Sequence, residues 1–135
     1  MANMVDSFGK NAGKIWEILS SDISLTEDKL IKKTKLKNQD FYSAVGWLAR
    51  ENKICKDYTF YKLGPTNLTG KIGKDAGKVW LVLDVWGKVD LSSISRLARI
   101  KEKDVFSAVG WLAREGKIDG DLLSKKGQNI KFWLK

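Results

Sequence analysis

Gln39, Ser43 and Arg50 are spaced so that an α-helix would carry them on one face, and Lys103, Ser107 and Arg114 occupy the equivalent places 64 residues later. Glutamine and arginine read base edges through paired hydrogen bonds, and lysine and serine bind phosphate oxygens. The chemistry these side chains offer is contact with duplex DNA. Most other chemistries are poorly provided for. The chain has no histidine and one cysteine, Cys55, so a Cys/His zinc site, a Ser-His-Asp triad and a Cys-His pair are all excluded. One cysteine forms no intrachain disulfide, and Cys55, set in a strand-like stretch, reads as a packing residue. Gly9 and Gly13 with Lys14 stand too close together for a phosphate loop, and no Ser or Thr follows the lysine. The acidic residues are scattered among basic neighbours, which gives no general acid–base pair. The expectation is a protein that is not an enzyme and holds no metal, cofactor or small-molecule ligand.

The charge fits a polyanion partner. Net charge is +9 and the pI is near 9.6. Residues 1–64 carry 11 Lys/Arg against 8 Asp/Glu, and residues 65–135 carry 14 against 8, so the excess is spread along the chain. Such a balance favours nucleic acid. No signal peptide is visible, and the longest apolar run is far short of the ~20 residues of a membrane span. A cytoplasmic protein without membrane association is expected.

The elements that must hold these side chains follow from an internal duplication. Ala-Val-Gly-Trp-Leu-Ala-Arg-Glu occurs at 44–51 and again at 108–115, and Gly9–Trp16 maps onto Gly73–Trp80 with the same offset. A period of this kind makes the repeat the structural unit. In each unit Ala12, Ile15, Trp16 and Leu19 (Ala76, Val79, Trp80 and Leu83) mark one face of a first helix, with Gly9 or Gly13 near its start and both tryptophans expected in the core. A short extended stretch around Leu25 or Val89 follows. Thr26 and Asp90 then cap second helices over 26–34 and 90–98. Tight turns at 35–37 and 99–101 lead to third helices over 38–51 and 102–115. Their core stripes are Phe41, Ala44, Val45 and Leu48, and Val105, Ala108, Val109 and Leu112. Asn52 and Gly116 are suited to stop them. A hairpin closes each unit.

Helix, short strand, helix, tight turn, helix, hairpin is the order of a winged helix-turn-helix. The fold class is therefore mainly α with small β wings, as two tandem winged helix-turn-helix domains. The expected division is 1–64, a linker at 65–72 around Pro65, and 73–135.

The motifs Gly-Lys-x-Ala-Gly-Lys-[Ile/Val]-Trp and Ala-Val-Gly-Trp-Leu-Ala-Arg-Glu-x-Lys-Ile resemble those of a small prokaryotic winged helix-turn-helix family catalogued as a domain of unknown function. The resemblance covers 9–54 and 73–118. It implies the winged-helix fold and a DNA-binding role, and it brings no catalytic or ligand residues. Family members carry one copy, so the tandem arrangement is a departure.

A helix-turn-helix presents the N-terminal half of its third helix to the major groove. The expected DNA-contacting set is Gln39, Ser43, Arg50, Lys103, Ser107 and Arg114. It is joined by Lys32, Lys33, Arg96 and Arg99 of the second helices and by Lys125, Lys126 and Lys131 of the second wing. The implied activity is duplex binding, as in transcriptional regulation. Other residues point elsewhere. Asp40 and Asp104 in the first turns repel phosphate. Tyr42, Trp47, Phe106 and Trp111 flank the same outer faces, and Gly46 and Gly110 are mid-helix glycines that each cost about 1 kcal/mol relative to alanine. Close approach by another backbone would account for them, whether DNA, a second helix or the other copy. The alternative is an interaction adaptor in which these six residues form an interface between domains, in a homodimer or with a partner protein. Trp86 and Trp133 have no counterparts in the first copy and read as packing residues.

Overall fold

The computed structural model describes residues 3–121 and 130–135. Helix α1 spans Met4–Ser21, β1 Leu25–Thr26, α2 Glu27–Thr34, α3 Asn38–Arg50, β2 Ile54–Asp57 and β3 Phe60–Leu63. A π-type helical turn over Thr69–Gly73 leads into α4, Lys74–Trp86, followed by β4 Val89–Asp90, α5 Leu91–Ala98, α6 Glu102–Arg114, β5 Ile118–Gly120 and β6 Lys131–Leu134. Each copy closes with a three-stranded antiparallel sheet, in the orders β1-β3-β2 and β4-β6-β5.

Local chemistry sets the boundaries. Thr26 accepts the Lys29 N–H, and acidic Glu27 and Asp28 in the first turn of α2 favour the helix dipole. Asp90 accepts the Ser93 N–H and the hydroxyls of Ser93 and Ser92. The bonds from Ser93 and Ser92 hold its carboxyl below the ordinary Asp range. Lys35 and Arg99 end the second helices in the left-handed conformation, with φ of 59° and 58°. Asn52 and Gly116 stop the third helices at φ of 61° and 73°, the conformation that asparagine and glycine tolerate best.

The first helix begins earlier than its spacing predicts. Asn3 caps it by accepting the Asp6 N–H at 2.9 Å, which puts Gly9 and Gly13 inside the helix. Its buried row is Met4, Phe8, Ala12, Ile15 and Leu19. Trp16 stands on the flank of that row and is 47% exposed, so the expectation of a core tryptophan fails there. Trp80 is half-buried. Trp86, at the last position of α4, is 64% exposed and does not pack, contrary to its reading from the sequence.

The two cores exchange parts. Met4 and Phe8 of α1 are buried in the core of the second copy, among Val105, Val109 and Phe132. Ile72 is buried in the core of the first copy, with Leu68 packed against it. Leu68 and Ile72 are Met4 and Phe8 advanced by 64 residues, so each unit's first helix enters through the other unit's core. The stretch read as a linker therefore contains a helical turn and a core residue. Met4, Phe8 and Ile72 are at most 6% exposed. Burial of such side chains is worth about 1.5–3 kcal/mol each, a large part of the ~5–15 kcal/mol that stabilises a domain. No helix among the described residues is long and apolar enough to cross a membrane.

Candidate functional site

Helices α3 and α6 form the most extensive contact in the molecule. Their outer faces, which a lone winged helix turns to solvent, lie against each other. A Cβ built on Gly46 would collide with the carbonyl oxygen of Ser107 and stand 2.8 Å from its carbonyl carbon; one built on Gly110 would meet Ser43 in the same way. The mid-helix glycines are thus explained by helix-on-helix approach between the copies. The serine hydroxyls stay within their own helices, Ser43 Oγ donating to the Gln39 carbonyl at 2.8 Å and Ser107 Oγ to that of Lys103 at 3.4 Å.

The two helices run in the same direction. At their N-terminal ends Asn38, Gln39 and Tyr42 share a shallow depression with Lys103 and Phe106. At their C-terminal ends Arg50 Nε donates to Glu115 and Arg114 Nε to Glu51, both at 3.0 Å. Each guanidinium also lies 5.7 Å from the ring centre of the other copy's tryptophan, Arg50 over Trp111 and Arg114 over Trp47. The glycine, arginine–glutamate and arginine–tryptophan contacts each have a counterpart at an offset of 64, so the chain is a pseudo-two-fold pair.

This arrangement changes the expected DNA-contacting set. Ser43 and Ser107 are buried between helices, where no groove reaches them. Arg50 and Arg114 are engaged by the opposite copy's Glu and Trp. Ser43 and Ser107 leave the base-reading face because the face that points outward in one unit points inward in the pair; Arg50 and Arg114 stay exposed, at the C-terminal ends of the paired helices. Gln39 and Lys103 remain at the N-terminal edge. Lys32, Lys33, Arg96, Arg99 and Lys131 are exposed, with Lys33 Nζ 2.9 Å from Asp22. Lys125 and Lys126 lie outside the described residues. Tyr42, Gly46, Trp47, Phe106, Gly110 and Trp111 all stand at or beside the contact between copies.

Lys37, Lys71 and Lys101 at the edge were not singled out by sequence. Lys37 and Lys101 are the N-cap residues of α3 and α6, and neither makes a side-chain cap bond. Asp104 in the first turn of α6 is 3.4 Å from Lys71, which also binds the buried Asp75 at 2.8 Å. Burial raises the Asp40 carboxyl above its ordinary range, against the opposing pull of Lys37 and Lys14.

Beside the edge the copies differ. Glu27 accepts hydrogen bonds from Tyr42 Oη at 2.9 Å and Tyr61 Oη at 3.1 Å. Burial, with the Glu27 bond and charge, pushes the Tyr42 phenol up to about 12. Burial and the charge of Glu27 raise Tyr61 further. An offset of 64 turns Glu27 and Tyr42 into Leu91 and Phe106, and strand register turns Tyr61 into Phe132. One copy holds three polar groups where the other holds three apolar ones.

The profile of the family described as Winged helix-turn-helix domain (DUF2582) matches the chain twice, over residues 1–62 and 68–131. A relative described as Uncharacterized protein MJ1608, from Methanocaldococcus jannaschii, is 42% identical over 55 residues, which is 38% of this chain and 77% of that protein. No solved structure matches the chain.

Proposed function

The chain belongs to the Winged helix-turn-helix domain (DUF2582) family in both halves, and from that membership we propose that it binds duplex DNA, the step on which a transcriptional regulator depends. One observation carries the reading. Because α3 and α6 run in the same direction, the turn before each ends at one edge of the molecule. Lys37, Lys101 and Lys103 stand on that edge, Lys35 and Arg99 occupy the adjoining turns, and all five are exposed. The uncapped first turns of α3 and α6 add the positive ends of two helix dipoles. Asp40 and Asp104 oppose them, the latter partly neutralised by Lys71.

The mode differs from insertion of one recognition helix. The paired helices approach the duplex end-on, with lysines on phosphates and Gln39 nearest the bases. Lys32, Lys33, Arg96 and Lys131 extend the phosphate contacts, and Lys125 and Lys126 are expected to join them. Such binding is dominated by counterion release, and the salt slope falls by about 0.9 for each phosphate contact removed.

Fluorescence anisotropy of a labelled duplex at about 50 and about 200 mM salt tests this. The wild-type chain is expected to lose affinity steeply with salt. Lys37→Ala, Lys101→Ala and Lys103→Ala together are expected to reduce the slope by about 2–3 and to weaken all sequences alike. Lys125→Ala with Lys126→Ala is expected to lower it further. Negligible binding at low salt, or an unchanged slope in the triple variant, would refute the reading.

A further inference from the structure

Beside the basic edge a cleft of about 410 Å³ opens between the copies, walled by α2, α3 and the hairpin of the first and by the helical turn and the start of α6 of the second. That volume lies within the ~300–1,000 Å³ of small-molecule sites. The pseudo-two-fold axis supplies an internal control, because it carries each wall residue to an equivalent place on the other side. There the space is filled. Met4, Phe8, Leu91, Phe106 and Phe132 are at most 7% exposed. A Cβ built on Gly120 would stand 2.7 Å from the Phe132 ring and 2.9 Å from Met4 Sδ. In the cleft the counterparts of Met4 and Phe8 are the smaller Leu68 and Ile72, and Gly120 becomes Lys56.

The cleft has also gained charge. Lys56, Lys71 and Lys103 stand where the other side has Gly120, Ser7 and Gln39, and only Lys101 matches a lysine, Lys37. Lys71 is held by Asp75 and Asp104, which also answers the acid of α6. Lys56, Lys101 and Lys103 have no ion-pair partner among the described residues. Lys56 is half-buried, with its ammonium 5.3 Å from the Tyr61 ring centre. Its backbone is fixed by Asn67, which accepts the Lys56 N–H at 3.0 Å and donates to the Lys56 carbonyl at 2.7 Å. Three unpaired ammonium groups around one cleft repel one another, and a bound anion removes that cost. The other side shows that the fold closes without them.

The walls define the anion. A phosphate dianion answers three ammonium groups better than the single charge of a carboxylate, and lysine binds phosphate as a point charge. Glu27 and the Tyr42 hydroxyl supply acceptors for O–H or N–H groups, and Val45, Leu68 and Ile72 give an apolar wall for a flat body. A nucleoside monophosphate combines these three parts. We propose that this cleft binds one nucleoside monophosphate per chain, with its phosphate on Lys56, Lys101 and Lys103 and its hydroxyl or amino groups on Glu27. The inference does not rest on DNA binding, although Lys101 and Lys103 also belong to the basic edge.

Isothermal titration calorimetry of the chain alone with adenosine monophosphate tests it. One site per chain is expected. Adenosine and inorganic phosphate each hold only part of the recognised groups and are expected to bind at least about tenfold more weakly. Lys56→Ala is expected to weaken the nucleotide about tenfold, the effect of one lost charged contact. Ile72→Phe installs the residue of the filled side and is expected to abolish binding, with circular dichroism reporting the fold; Lys56→Ala reads the same cleft without touching the core. Lys37→Ala removes a lysine of the basic edge that lies outside the cleft, and it is expected to bind like the wild-type chain. No saturable binding up to about 5 mM nucleotide, where even weak sites fill, would overturn the proposal. So would wild-type affinity in Lys56→Ala or in a folded Ile72→Phe, inorganic phosphate or adenosine binding as tightly as the nucleotide, or an equal loss in Lys37→Ala.

Discussion

Replacing Gly46 with alanine separates two effects that a helical glycine combines. Alanine in a helix interior gains about 0.5–1 kcal/mol over glycine, through propensity and a less disordered unfolded chain. Gly13 isolates that gain, since it is exposed within α1 and a Cβ there meets nothing within 4 Å. Gly13→Ala is therefore expected to stabilise the protein by about 0.5–1 kcal/mol. At Gly46 the same gain is opposed by the Ser107 carbonyl, a rigid backbone group of a buried helix. Overpacking of this kind costs about 1–3 kcal/mol, and the rigidity of the obstacle places it in the upper half of that range. The net expectation for Gly46→Ala is a loss of about 1–2 kcal/mol, or roughly 3–6 °C in Tm for a chain of this length. Gly110→Ala should match it. The double variant should lose less than the sum, because both carbons force apart the same two helices. Urea unfolding of the four variants measures all of this. If Gly46→Ala stabilises as much as Gly13→Ala, the third helices are not in close contact in solution, and the pseudo-two-fold pair is wrong.

The tyrosines make alkaline stability informative. Their folded-state pKa values, about 12 for Tyr42 and higher for Tyr61, exceed the unfolded value near 10, so their contribution is complete below about pH 10 and falls as pH rises through 12. Unfolding free energies at successive pH values should decline above pH 10, and Tyr42→Phe with Tyr61→Phe should flatten the decline; an equal slope in both proteins would reject the burial argument. Tyr61→Phe alone leaves Glu27 short of a donor and is expected to cost about 1–2 kcal/mol, whereas Glu27→Leu, Tyr42→Phe and Tyr61→Phe together reproduce the second copy's set and should recover most of the loss in the same assay. No recovery would mean that the two sites are not interchangeable.

Much of the fold was legible in the sequence because local rules set it. Residues 38–51 were expected to be helical and Asn38–Arg50 are; the stop comes from a single left-handed residue, which asparagine signals. The stripe Phe41, Ala44, Val45 and Leu48 is buried as its period requires. What periodicity does not supply is the identity of the opposing surface. Phe8 and Ile72 lie before the first-helix stripes read from the sequence, Ile72 within the stretch read as a linker, and nothing local says that each enters the other copy's core. Trp16 shows a second limit, since a large aromatic at the flank of a core row can face either way. The candidate site was partly legible. Gly46 and Gly110 signalled close approach by a backbone, but the choice among DNA, another helix and the other copy is a tertiary matter. Ser43 and Ser107 were assigned to a groove because the outer face of one unit was taken for the outer face of the chain. Arg99 and Lys103 were in the expected set, but their grouping with Lys35, Lys37 and Lys101 was not read, because it arises only when two turns, far apart in sequence, end at the same side.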